Sequence, residues 1–186
     1  MGLRDFLARL KAILKWRNFY TDFKGDSVGV DSFCWLHQIA LRHRSKLVGK
    51  GEDYSHKEVV DDFIELAERL IKEGLTPTFV FDGAPTPAKG GTDAKRQERR
   101  SKALAYIDNN QRTCDEKELR AAMAAAIKIT PQVVWDTIVE LRKRGFSAIK
   151  APREADAQLV YMVGNTLLNI VVPFCVMFVI CRHGRG

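Results

Sequence analysis

The chain has little cysteine, and its cysteines are not arranged for a disulfide framework or a zinc site. The four cysteines are Cys34, Cys114, Cys175 and Cys181, with no CxxC pair and no histidine at zinc-ligand spacing. We therefore expect an intracellular protein with reduced thiols. Cys34 lies in an apolar run, which predicts a small, buried, hydrophobic side chain.

An N-terminal apolar leader and low-complexity stretches are also lacking. The sequence therefore predicts neither a signal peptide nor a disordered chain. Hydrophobic residues make up 46% and charged residues 28% of the 186 residues, as is usual for a globular protein. This length suits one domain, or one domain with an extension.

Acidic residues are missing from the C-terminal part, since no aspartate or glutamate follows Asp156. Residues 159–181 carry no charge and are long enough to span a bilayer, which would make a tail-anchored membrane protein. Polar residues and Pro173 dilute this stretch, however, so membrane insertion is the less favoured alternative. We favour a buried strand over residues 170–180, beside the third strand of the sheet predicted below.

Basic residues are in excess, and the excess is local. The net charge is +7, while residues 1–20 and residues 89–102 each carry +4. Two basic patches on an otherwise nearly neutral chain indicate a polyanionic partner, either nucleic acid or an anionic membrane. A solvated basic surface or a nuclear localisation signal are the alternatives. Arg96 and Arg100 are four residues apart, so they share one face of a predicted helix.

Short apolar strands alternate with helices along the chain, which predicts an α/β fold with a mainly parallel sheet. The strands are predicted at residues 27–31, 76–81 and 146–150. The helices are predicted at residues 3–16, from 33 to about 46, from a capping box of Ser55 and Glu58 to Gly74, over 93–128 with a break near Asn109 and Asn110, over 132–143, and from 153 onwards.

Carboxylates follow three predicted strands. They are Asp31, Asp82, Glu154 and Asp156. The carboxyl ends of parallel strands meet at one edge of a sheet, so these charges would repel one another unless a cation lay between them. Mg²⁺ prefers oxygen ligands, and two such ions would suit phosphodiester hydrolysis. The alternative is structural, because each carboxylate could instead cap a helix or a turn.

Three stretches of the chain resemble one enzyme family. They are VGVDSFCWLH at residues 28–37, PTFVFDGAPTPAKGGTDAKRQERR at residues 77–100 and APREADAQL at residues 151–159. Their order and spacing resemble the flap endonuclease and exonuclease 1 group of XPG-type, structure-specific 5′ nucleases. The resemblance implies a Rossmann-like, PIN-like fold over residues 1–163, followed by a divergent apolar tail at 164–186.

The resemblance also implies a site. The matching metal-site carboxylates are Asp31, Asp82, Glu154 and Asp156. Lys89 and Arg96 match the basic pair that contacts the scissile phosphate. The implied activity is Mg²⁺-dependent cleavage of DNA at 5′ ends, flaps or junctions of single and double strands, in nuclear repair or replication and with the proteins of those processes as possible partners.

Other positions match DNA-contacting parts of the family. Gly2 matches an N-terminal glycine near the active site, and His37 matches a position that contacts DNA near the junction. Arg99 and Arg100 are further DNA-binding candidates. Residues 93–128 match the helical arch through which the 5′ strand passes.

The sequence departs from the family after the third stretch. The family continues with a strand that ends in a motif like TEDSD, then with a helix–turn–helix element, and neither motif is present here. We therefore expect a truncated or alternatively spliced form. A non-catalytic DNA-binding fragment is the alternative to an active nuclease.

Overall fold

The fold is built on one sheet of four parallel strands. The computed structural model describes residues 24–49, 56–84, 90–110, 115–168 and 170–172. The strands are β1 (Ser27–Asp31), β2 (Thr76–Phe81), β3 (Ser147–Lys150) and β4 (Ile170–Val172). Their order in the sheet is β3-β2-β1-β4, which confirms the predicted α/β class with a parallel sheet.

The strand β4 corrects one expectation from the sequence. It pairs with β1, with Val28 opposite Ile170 and Val30 opposite Val172, and so does not lie beside β3. The physical reason is that α-helical crossovers place β2 and β3 on one side of β1, which leaves the other edge of β1 open to a later strand. Residues 173–180 of the predicted strand lie outside the described residues.

Seven helices lie within the described residues. They are α1 (Ser32–Arg42), α2 (Arg44–Gly49), α3 (Lys57–Lys72), α4 (Gly90–Asn110), α5 (Glu116–Ala126), α6 (Pro131–Lys143) and α7 (Ala155–Gly164). The break predicted near Asn109 and Asn110 is confirmed by the end of α4. The helix predicted at residues 3–16 lies outside the described residues.

Local sequence explains most helix ends. Thr130 caps α6 by accepting the N–H of Val133, and a proline follows at the first helical position. The helices α3 and α6 end just before Gly74 and Gly145, which have φ angles of +83° and +81°. His56 is the N-cap of α3 and makes no capping bond with its side chain, while Ser55 of the predicted capping box lies outside the described residues.

Helices cover the two faces of the sheet unequally. On one face, Trp35, Phe63, Phe79 and Phe81 belong to the main core, which joins α1, α3 and α6 to the strands. Neighbouring rings among them lie 5.4–6.2 Å apart between centroids, a range in which aromatic pairs are favourable. On the other face, α7 packs in a smaller cluster with Val80 and β3.

The strand order marks where a ligand site belongs. After β1 the chain builds outward through β2 and β3, and it then crosses to the other side of β1 to form β4. In open α/β sheets, ligands bind at the carboxyl ends of the strands where such a reversal occurs. The reversal lies at β1, whose last residue is Asp31.

Candidate metal and nucleic-acid site

Asp31 is held by the backbone at the start of α1. It is the N-cap of that helix, and its Oδ1 accepts the N–H of Phe33 at 3.1 Å and of Cys34 at 3.4 Å. The capping role left open by the sequence is therefore realised. Because capping fixes the side-chain rotamer, the carboxylate stays at the carboxyl end of β1.

Cys34 is not the buried hydrophobic residue that the sequence predicts. Its side chain is exposed, and its Sγ donates a hydrogen bond to Oδ2 of Asp31 at 2.9 Å. The apolar run misled the prediction because Cys34 lies on the outer side of α1, whereas Trp35 and Leu36 enter the core. The available signal was its position three residues after an N-cap aspartate, where a side chain can reach back to the cap.

Asp82 joins the end of β2 to the start of α7. Its Oδ1 accepts the backbone N–H of Ala155 at 2.7 Å, so it caps a helix that is 73 residues away in sequence. A negative charge at a helix N-terminus is also favoured by the helix dipole. The contact therefore holds two of the family-matched stretches together.

Gly83 allows this junction to form. Its N–H donates to the carbonyl of Arg153 at 2.5 Å, and the N–H of Ala84 donates to that of Pro152 at 3.2 Å. A Cβ on Gly83 would lie 1.9 Å from the carbonyl oxygen of Ala151. Its signal was its place directly after a strand-end aspartate, where two loops approach closely.

Glu154 and Asp156 complete the set, which we call the carboxylate rim: Asp31, Asp82, Glu154 and Asp156. Glu154 is the N-cap of α7 without a capping bond from its side chain. Asp156 is exposed in the first turn of the same helix, where the helix dipole favours a negative charge.

The charges of three rim members act on the thiol of Cys34. The pKa of this thiol is raised to about 12, firstly by partial desolvation of the sulfur, although the residue is exposed overall, and then by the hydrogen bond to Asp31. The charges of Asp31, Asp156 and Asp82 raise this pKa further. The carboxylates of β1, β2 and α7 therefore all act on the same thiol.

The donor set of the rim suits Mg²⁺ in kind. Within the described ranges, no three histidine, cysteine or carboxylate side chains lie close enough together to hold one ion. Mg²⁺ keeps several waters and is usually held by only one or two carboxylates together with substrate phosphates. The carboxylate oxygens of the rim are ligands of the kind that Mg²⁺ takes, and within the described residues they do not form an all-protein cage.

The basic candidates lie on α4. Arg96 and Arg99 are exposed, whereas Arg100 is half-buried. The Nε atom of Arg100 is buried and has no hydrogen-bond partner among the described residues. Lys89 and Gly2 lie outside the described residues.

His37 lies on α1, within the electrostatic reach of α4. Its pKa is lowered, mainly by desolvation and also by the charge of Arg96, against the opposing effect of its own backbone hydrogen bond. The structure therefore brings two of the predicted DNA-contacting residues, His37 and Arg96, near each other. The helix α1, which carries His37, follows β1 in the sequence, and α4, which carries Arg96, follows β2.

The helices α4 and α5 pack together as a hairpin, which we call the α4–α5 hairpin. Ala103, Ile107 and Ala126 are its buried residues, and Val48 of α2 packs against them. Tyr106 on α4 donates its hydroxyl to Glu118 on α5 at 2.7 Å. The hairpin corresponds to the predicted arch region at residues 93–128.

Every helix among the described residues is too short or too polar to span a lipid bilayer.

The chain is similar to known nucleases. Exodeoxyribonuclease 1 of Schizosaccharomyces pombe is 33% identical over 175 residues, which cover 92% of this chain and 29% of that protein. Flap endonuclease 1 of Cryptosporidium parvum is 34% identical over 154 residues, which cover 80% of this chain and 31% of that protein. The chain thus spans about three tenths of the length of these curated relatives.

Solved structures agree on the fold. The catalytic core of Rad2 in complex with a DNA substrate superposes with a TM-score of 0.59 at 18% identity, covering 92% of this chain and 44% of that one.

The profile of the XPG N-terminal domain matches residues 1–103, more than half of the chain. The chain therefore belongs to the XPG N-terminal domain family.

Proposed function

We propose that the chain carries the N-terminal nuclease region of a metal-dependent, structure-specific 5′ nuclease of the exonuclease 1 type, which hydrolyses DNA phosphodiester bonds in nuclear repair or replication. The observation that carries the proposal is the position of Asp31 and Asp82, which backbone N–H groups hold at the ends of β1 and β2, next to the point where the strand order reverses. The names of the relatives and the DNA in the Rad2 complex support DNA as the substrate.

The roles of the side chains follow from their charge and position. The rim would hold hydrated Mg²⁺, which supplies charge neutralisation and an acidified water when bound. Asp31 and Asp82 are fixed by backbone N–H groups, so they present their charge with little reorganisation. Lys89 and Arg96 would neutralise the scissile phosphate and orient it towards the rim. The α4–α5 hairpin would contact the 5′ strand.

The direct test is Mg²⁺-dependent cleavage of a 5′-flap duplex and a recessed-end duplex by the purified chain. We expect Asp82→Asn to reduce the rate by about 100-fold or more, since a preorganised charge at the reacting phosphate is lost. Asp136→Asn is the matched control, because Asp136 lies on α6 and accepts a hydrogen bond from Gln132, one turn before it. Equal rates for the wild type and Asp82→Asn would refute the nuclease proposal for this chain.

A second candidate is a DNA-binding fragment without catalytic activity. It is favoured by the exposed arginines Arg96 and Arg99 on α4, which could contact DNA phosphates without a metal ion. It predicts salt-dependent binding to DNA with no cleavage in Mg²⁺. Any Mg²⁺-dependent cleavage that Asp82→Asn abolishes excludes it.

A further inference from the structure

The thiol of Cys34 lies beside the one carboxylate that ends the central strand β1. Its Sγ donates to Oδ2 of Asp31 at 2.9 Å, while two backbone N–H groups donate to Oδ1 at 3.1 and 3.4 Å. A neutral thiol is a donor to a carboxylate, so the direction of this bond is fixed by the chemistry of the two groups. Asp31 is therefore oriented at both of its oxygens.

This arrangement leaves a defined acceptor position. An ionised carboxylate has about four lone-pair sites, two on each oxygen. Among the described residues, both backbone donors use Oδ1 and the thiol uses one site on Oδ2. The site that remains is on Oδ2, and the thiol fixes the direction in which it points.

Packing does not explain Cys34, because its side chain is exposed while the adjacent Trp35 and Leu36 fill the core. Truncation of an exposed side chain removes little buried apolar surface. Its hydrogen bond to Asp31 is therefore the main interaction that its loss would change.

We propose that Cys34 is a positioning residue that orients Asp31 for a divalent cation at the rim. The proposal rests on the proposed function, because it assumes that Asp31 takes part in metal binding. Hydrogen bonds to a metal-binding carboxylate hold it in the ligating orientation, and their removal typically weakens metal binding 10- to 100-fold. Cys34 itself does not touch the substrate in this role.

The test measures Mn²⁺ binding to the purified chain without DNA, by the loss of the free-ion signal in electron paramagnetic resonance. We expect Cys34→Ala to weaken Mn²⁺ binding about tenfold or more. Cys34→Ser retains a donor on the same Cβ, so we expect it to bind Mn²⁺ within about threefold of the wild type. Asp31→Asn sets the level expected when the carboxylate itself is lost.

Ser32→Ala is the matched control. The hydroxyl of Ser32 also lies at the start of α1, but it donates to the carbonyl of Val30 and not to Asp31. Circular dichroism and thermal melts of all variants show whether each is folded. A melting temperature that falls for Cys34→Ala and Ser32→Ala alike, with unchanged Mn²⁺ binding, would show a structural role only and overturn the proposal.

The outcomes separate this proposal from the proposed function. Equal Mn²⁺ binding by wild type, Cys34→Ala and Cys34→Ser, with weaker binding by Asp31→Asn, overturns the role of Cys34 alone. Tighter binding by Cys34→Ala also overturns it, because the thiol would then compete with the metal for Oδ2. If the wild type binds Mn²⁺ no better than Asp31→Asn, the metal site at Asp31 fails and the role of Cys34 fails with it.

Discussion

The carboxylate rim and the α4–α5 hairpin carry opposite charges and are held in different ways. Rim members Asp31 and Asp82 each accept backbone N–H groups from a helix start. The rim also lies against the sheet, whose core contains large aromatic side chains that are fully buried. By contrast, the buried residues of the hairpin are Ala103, Ile107 and Ala126, and its cations Arg96 and Arg99 are exposed.

The two halves of the site therefore suit different tasks. Backbone hydrogen bonds fix the acidic half before any ligand arrives, which is the arrangement that electrostatic stabilisation of a reaction requires. The basic half has a small core and exposed side chains, so it can adjust to the path of a flexible strand. A protein that grips nucleic acid and cuts it at one point benefits from both properties.

Gly83→Ala should disrupt the junction between the end of β2 and the start of α7 that holds Asp82. Gly83→Ala places a Cβ 1.9 Å from the carbonyl oxygen of Ala151 and 2.8 Å from the backbone of Pro152. Backbone atoms cannot move aside as side-chain ends can, so we expect the free energy of unfolding to fall by about 3 kcal/mol. Urea denaturation followed by circular dichroism measures this change.

Gly164→Ala is the control for that substitution. Gly164 lies at the end of α7, and a Cβ there would meet no atom within 4 Å. We expect its unfolding free energy to stay within about 0.5 kcal/mol of the wild type, as for other surface changes. Equal losses of unfolding free energy for Gly83→Ala and Gly164→Ala would contradict close packing between Gly83 and residues 151–152.

Much of this fold could be predicted from the sequence, because strands and helices have different hydrophobic periods. The strands 27–31 and 76–81 match the observed bounds, and the strand predicted from Phe146 begins one residue later. The pairing of strands could not be predicted in this way, because an apolar run does not show which edge of the sheet it occupies. The tail strand was for this reason placed beside β3 when it pairs with β1.

The candidate site, too, could be predicted only in part from the sequence. A strand-end aspartate such as Asp31 or Asp82 is visible in sequence, and both lie at the expected edge of the sheet. The contact of Cys34 with Asp31 depends on which side of α1 faces outward. The need for glycine at Gly83 depends on how closely the segment at residues 151–152 approaches it. Such contacts have no local signature, which is why the sequence reasoning missed them.

The next prediction concerns the contribution of the α4–α5 hairpin to DNA affinity. Arg99 is exposed on α4, and we expect Arg99→Ala to reduce the slope of log affinity against log salt by about 1, as for loss of one phosphate contact. Fluorescence anisotropy with a labelled flap duplex at several salt concentrations measures the slope.

Arg120→Ala is the matched control for Arg99→Ala. Arg120 is an exposed arginine of the same hairpin, but it lies on α5 and is paired with Glu116 one turn before it. We expect its removal to leave the salt slope nearly unchanged, because a paired arginine has less charge to offer a phosphate. The same loss of slope at both arginines would show a diffuse basic surface and no oriented contact.

A smaller effect tests what holds the hairpin together. Tyr106→Phe removes the hydroxyl that donates to Glu118 at 2.7 Å. The bond is exposed to solvent, so we expect a loss of about 0.5–1 kcal/mol, seen as hydrogen exchange of α5 amides that is about two- to fivefold faster. Tyr161→Phe on α7 is the control, and it should leave α5 exchange unchanged. A rise in exchange at β1 and β2 as large as at α5 would show that the hairpin does not open separately from the sheet.

A further prediction concerns His37 on α1, on which the charge of Arg96 from the hairpin acts. Its pKa is lowered by desolvation first and by the charge of Arg96 second, so the fold favours the neutral imidazole. The stabilisation that this provides is complete above the unfolded pKa of about 6.5 and is lost as the pH falls below it, through the lower pKa of the folded state. We therefore expect the wild type to lose more stability between pH 7.5 and pH 5.5 than His37→Gln does, by urea denaturation at each pH. Arg96→Ala should lie between the two, since it removes only the smaller cause. If Arg96→Ala matches the wild type at both pH values, the hairpin exerts no electrostatic effect on α1, and the rim and the hairpin act as independent parts.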